Sequence, residues 1–155
     1  METSRNCQRF PMRLITCFIL FCSAANAESL PLMPNTADVD QGRSIYADQC
    51  AACHGVRLEG EPDWRSAKAD GTMPAPPHDS TGHTWHHGDA LLFNYTKLGG
   101  ERSLAQRGVT DFLSGMPAFE DTLTDAQIWD VLAFIKSTWP RRAREVQQTR
   151  TDAEQ

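Results

Sequence analysis

Five consecutive residues, Cys50-Ala51-Ala52-Cys53-His54, constrain this chain more than any other feature. Residues three apart on a helix lie on nearly the same face. Both thiols would therefore point to one side, with an imidazole following at once. A structural disulfide framework wants more cysteines, and more widely separated ones. A thioredoxin-like redox pair belongs in βαβ units, and no strand-period run is present here. A structural zinc site would need a second ligand cluster, for which His83 and His87 offer only a loose match.

The full pattern C-x-x-C-H is the attachment signature for haem of the c type. Two thiols on one helical face can add to the two vinyl groups along one haem edge, and the next residue, His54, reaches the iron from one side. The expected cofactor is one covalent haem c, held by Cys50, Cys53 and His54.

The start of the chain agrees with that chemistry. Arg5, Arg9 and Arg13 precede a short apolar run from Leu14 to Phe21, and Ala25 and Ala27 form an A-x-A pattern. This is the layout of a secretory signal peptide, so residues 1–27 are expected to be removed after Ala27 and the product exported, periplasmic in a bacterium. The run is far shorter than the ~20 residues that cross a bilayer, and no permanent membrane span is expected. A lipid anchor on Cys22 would want a small residue before it, where Phe21 stands. Cleavage removes Cys7, Cys17 and Cys22 and leaves only Cys50 and Cys53. It also takes three of the 15 basic and one of the 20 acidic residues, leaving a net charge of −7. An acidic chain of this kind repels nucleic acid and favours redox partners with a basic docking face.

Residues 28–37 contain Pro31 and Pro34 without periodicity and read as an extended lead-in. Asp38, with Gln41 three residues on, marks a helix start, and the spacing predicts a helix over 39–52 that Gly55 stops. Between Val56 and Gly88 the chain is rich in Gly, Pro, Asp and His and predicts a long loop. Leu91, Leu92, Tyr95 and Leu98 predict a second helix ended by Gly99-Gly100, followed by another loop. Thr124 and Gln127 form a capping box for a last helix carrying Ile128, Val131, Leu132 and Ile135, closed by Pro140. Residues 141–155 are almost wholly polar and are expected to fray. The predicted fold is all-α, three or more helices with long loops around one haem, whose apolar bulk supplements a thin core.

Over residues 38–140 the chain resembles a class I c-type cytochrome. The likeness rests on a first helix with Gly42 and Tyr46 leading into C-x-x-C-H, on Ser114-Gly115-Met116-Pro117-Ala118-Phe119, and on a final helix with an aromatic stripe. It implies that the first and last helices cross nearly at right angles, with Gly42 the small residue at the crossing, close to Phe134 or Leu132. It also implies Met116 as the distal iron ligand; Met73, which also precedes a proline, is the rival, 19 residues after His54 rather than 62. Finally, it implies that a carbonyl between Pro74 and Pro77 accepts the second N–H of His54, and that Trp85 or His83 donates to a haem propionate.

With both axial positions filled, no open site remains for a substrate, and the expected function is single-electron transfer between redox partners rather than enzymatic catalysis. Three alternatives stay open. The chain would be an electron-transfer subunit of a dehydrogenase, oxidase or copper enzyme. It would be an open-site haem protein if Met116 is not a ligand. Or it would handle copper through His78, His83, His86 and His87, since clustered neutral imidazoles suit copper, zinc or nickel.

Overall fold

The computed structural model describes residues 29–155, so the expected signal peptide lies outside the described residues. Asp38 opens α1 (Val39–Gln49), its carboxylate accepting from the N–H groups of Asp40 and Gln41 at 2.9 and 3.1 Å. The expected helix to residue 52 is divided at Cys50, which stays right-handed and keeps its bond to the Tyr46 carbonyl but opens φ to −115°. The chain resumes at once as α2 (Ala51–His54), because the Cys50 carbonyl still accepts from the His54 N–H at 2.9 Å. Gly55 then ends it with φ +79°, a left-handed value that suits glycine.

The second expected helix is α3 (Asp89–Leu98). Gly99 breaks it, also at positive φ, but the loop expected afterwards begins with a short helix, α4 (Gly100–Ala105). Its six residues are too few to show a hydrophobic period, which is why the sequence pattern passes it over. Between α2 and α3 the chain is irregular apart from a single 3₁₀ turn, Thr84–His86. Among the described residues there is no strand, only an isolated parallel bridge between Met73 and Ser114. The molecule is thus all-α.

α5 (Asp125–Ser137) begins with the predicted capping box: Gln127 N–H donates to Thr124 Oγ1, and Thr124 N–H to Gln127 Oε1. Residues Ile128 to Ile135 are all buried, so α5 is the central element and not a one-faced surface helix. α1 packs across it. An added Cβ on Gly42 would lie 1.9 Å from the Asp130 carbonyl oxygen and 3.0 Å from Val131 N. The contact foreseen near Phe134 or Leu132 therefore falls on the α5 backbone at Asp130 and Val131, just before Leu132, and Phe134 packs on Tyr46 instead, ring centres 5.3 Å apart. On the other side, Phe93 of α3 stacks on Trp129 at 4.4 Å, a geometry worth about 0.5–1.5 kcal/mol beyond area burial.

The segment expected to fray is an ordered helix, α6 (Arg141–Asp152), that packs on the 3₁₀ turn and on α3. Its inward positions, Ala143, Gln147 and Thr151, recur every four residues but carry almost no apolar surface. What holds them is a buried polar cluster. Asp89, 5 % exposed, accepts from Lys136 Nζ at 2.8 Å and Gln147 Nε2 at 2.7 Å. Thr151 Oγ1 accepts from the Asp89 N–H at 3.0 Å, and the Glu154 carboxylate takes the N–H groups of Ala90 and Leu91 at 2.9 and 3.3 Å. α6 thereby caps the start of α3, satisfying donors that a helix N-terminus leaves free.

Candidate functional site

His54 is 7 % exposed, and its Nδ1 lies 2.9 Å from the carbonyl oxygen of Pro76. A carbonyl only accepts, so Nδ1 carries the proton and Nε2 keeps its lone pair. Burial holds the imidazole below its ordinary pKa, against a smaller upward pull from the Pro76 bond and Glu61. His54 is therefore a neutral ring with one nitrogen prepared for a metal. Pro76 is one of the four residues, Pro74 to Pro77, whose carbonyls the family resemblance put forward for this bond.

The loop bearing Pro76 is fastened to the residues that follow the cysteines. Glu61 N–H donates to the Ala75 carbonyl at 2.9 Å, and Ala75 N–H to Glu61 Oε2 at 2.7 Å. Gly60, at φ +70°, allows the two segments to approach: a Cβ there would meet Pro77 N at 2.5 Å. Tyr46 adds a bond from α1, its hydroxyl donating to the Gly55 carbonyl at 3.0 Å.

Cys50 is half-buried and Cys53 exposed, and neither is in a disulfide. Burial, with the nearby Cys53, pushes the Cys50 thiol up to about 11. Redox-active C-x-x-C pairs work the other way, with a depressed thiol. The zinc alternative also lacks a ligand cluster: among the described residues no three His, Cys, Asp or Glu side chains converge to hold a metal ion. His83 does not join such a group; it stacks on Trp64 at 5.2 Å and meets His87 edge-on at 5.3 Å.

Met116 is half-buried in a loop seated against α3 and α4. Its N–H donates to Ser114 Oγ at 3.2 Å, Ser114 Oγ bonds Tyr95 Oη at 3.1 Å, and its carbonyl accepts from Gly100 N–H at 3.2 Å. Met116 also lines a cavity of about 280 Å³ with Leu98, Gly99, Ser114 and Ala118. The rival Met73 is not remote from it. Met73 N–H donates to the Leu113 carbonyl at 3.3 Å, so the two methionine loops run side by side.

Among the described residues two buried side-chain groups have no hydrogen-bond partner, Trp85 Nε1 and Ser103 Oγ of α4. Such groups are rare because an unmade buried hydrogen bond costs about 1–3 kcal/mol. The family resemblance implies Trp85 or His83 as a donor to a haem propionate. It gave no sign of Tyr95 against Ser114 behind Met116, nor of His78 on His54, because those pairs join residues 19 and 24 positions apart.

Residues 39–139 match the family model for Cytochrome c. The chain is also similar to a gluconate 2-dehydrogenase cytochrome c subunit of Pantoea cypripedii, 30% identical over 113 residues. That match covers 69% of this chain and 22% of the relative, so the chain spans about a fifth of that protein's length.

Proposed function

The chain belongs to the cytochrome c family, and from that premise we propose that it is an exported carrier of single electrons with one haem c, joined through Cys50 and Cys53 and ligated by His54 and Met116. Family membership makes it an electron carrier and not a catalytic enzyme, and implies covalent haem c. The number of haems, the ligands and the location are this proposal's own. Among the described residues no helix is long and apolar enough to cross a membrane.

The residues present suit that group. Cys50 and Cys53 stand one turn apart, the Cys53 N–H bonded to the Cys50 carbonyl at 3.2 Å, a neutral imidazole offers Nε2, and a thioether sits in a loop fixed by Tyr95 and Ser114. Trp85 Nε1, buried and unpartnered, suits a propionate oxygen. When bound, haem supplies a one-electron ferric/ferrous couple. The chain's part is to set that couple and keep it from rearranging. The Pro76 carbonyl holds the His54 N–H, which raises the donor strength of Nε2. The soft sulfur of Met116 favours the ferrous form. The exposed Cys53 marks the edge at which electrons would pass.

The bond from His54 to Pro76 is the observation that carries the reading, because it prepares this imidazole as an iron ligand directly after the two thiols. The test is the purified exported protein, oxidised and reduced, with a pyridine haemochrome assay. One c-type haem per chain and a reduced form that does not bind carbon monoxide readily are expected. A colourless protein from cells competent for haem attachment would refute the proposal.

A second reading makes the chain a subunit that feeds a dehydrogenase. The name of the relative favours it, as do the exposed apolar side chains Val109, Phe112 and Leu113 close together in sequence before the Met116 loop. Isolation of the native protein in a stable complex would favour this reading over a free carrier.

A further inference from the structure

His78 occupies an unusual place for a polar side chain. Its ring lies face to face with that of His54, centres 3.9 Å apart and planes within 21°. His78 is anchored at three points, two on its backbone and one on its ring. His78 N–H donates to the Leu58 carbonyl at 2.8 Å, its carbonyl accepts from Trp139 Nε1 at 2.7 Å, and its Nδ1 lies 2.9 Å from Thr84 Oγ1. Thr84 gives its one hydroxyl proton to the Pro77 carbonyl at 3.3 Å. With that proton on Pro77, the Thr84 oxygen accepts from His78 Nδ1; with the proton on Nδ1 instead, the bond reverses, and in either case it holds the ring plane of His78.

This anchoring matters to His54. A ring tethered only through Nδ1 can still rock about that hydrogen bond, and rocking swings Nε2 off its target. A flat neighbour across one face removes the motion, and it also keeps the Nδ1–H aligned on Pro76. We propose that His78 is a positioning residue for His54: its stacked ring sets the plane of the His54 imidazole and preserves the bond to Pro76. The proposal rests on the reading of His54 as an iron ligand. It goes beyond that reading by assigning the orientation of the ligand, and part of the reduction potential, to a side chain that would not touch the iron.

The sign of the effect follows from the hydrogen bond. An imidazole that donates firmly from Nδ1 is a stronger electron donor at Nε2 and favours the ferric state. Loosening the stack weakens that bond and raises the midpoint potential.

The experiment uses the full holoprotein and three variants, His78→Leu, His78→Phe and Thr84→Val. Two properties are read: the electron paramagnetic resonance g values of the ferric form, which report the axial imidazole plane, and the midpoint potential. His78→Leu is expected to shift the g values and move the potential upward. His78→Phe, which keeps a flat ring, recovers part of both shifts. Thr84→Val, which unties the ring but leaves it in place, moves both in the same direction as His78→Leu and by less. If His78→Leu yields no holoprotein, Thr84→Val decides alone. Wild-type g values and potential in His78→Leu, or in Thr84→Val where it decides, would overturn the proposal even if melting temperatures fall, because packing alone would then explain the contact. A wild-type protein without covalent haem would instead defeat the reading of His54, which the haemochrome assay detects separately.

Discussion

Gly42 rests on the backbone of Asp130 with no room for a methyl group between them, a Cβ there falling 1.9 Å from the carbonyl oxygen and 2.3 Å from its carbon. The same aspartate also reaches back to the start of α1, its Oδ1 accepting from the Asp38 N–H at 2.7 Å. The crossing of α1 on α5 is thus defined by backbone contact and by one hydrogen bond between residues 92 apart in sequence.

Gly42→Ala should separate the two helices, since both close atoms are backbone and cannot swing aside. A loss of about 3 kcal/mol is expected, at the upper end for overpacking, measured by denaturant unfolding of the holoprotein. A variant as stable as wild type would mean that the crossing is looser than this contact implies.

Lys136→Met should be costly out of proportion to its size. It leaves the buried Asp89 carboxylate with Gln147 but without a counter-charge. Removing one partner of a buried pair costs about 3 kcal/mol. Lys136→Met combined with Asp89→Asn should recover much of that loss, and the double-mutant cycle measures the recovery.

Met116→Ala, on the reading of Met116 as distal ligand, should lower the potential on the order of 0.1 V, a fraction of the ~0.8 V over which axial ligands set haem potentials. It should also let the reduced protein take up carbon monoxide. Met73→Ala should do neither. An unaltered oxidised spectrum in Met116→Ala together with a changed one in Met73→Ala would reverse the two assignments.

Trp85→Phe removes the buried indole donor that has no protein partner. If that donor serves a propionate, the holoprotein should lose about 1.5–3 kcal/mol, the range for a hydrogen bond to a charged group. The haem-free chain should lose less. Equal losses in both forms would deny the propionate bond.

Acid should weaken the fold through His87. Burial, with His83, His86, Arg107 and Arg150 nearby, holds its imidazole down to about 4. The unfolded chain takes up this proton near 6.5, before the folded one does, so stability is full above that pH. It should fall as pH drops from about 6.5 towards 4. His87→Asn should flatten that part of the melting temperature against pH.

The sequence by itself determined the Cys50–His54 turn, the capped starts of α1 and α5 and the stop at Gly55. Each of these is written within about four residues, the reach of a helical turn or a cap. Tertiary structure chose Pro76 among the residues of the Pro74–Pro77 loop, set Gly42 on the α5 backbone at Asp130, and laid His78 on His54. It also ordered α6, whose polar inner face gives no hydrophobic period to read and gains a partner only when Asp89 of α3 and Lys136 of α5 are already side by side. Local signals are legible because backbone geometry confines them to neighbours. These other contacts join residues 22 to 88 positions apart, from His54–Pro76 to Gly42–Asp130, and the chain meets them only once it has folded.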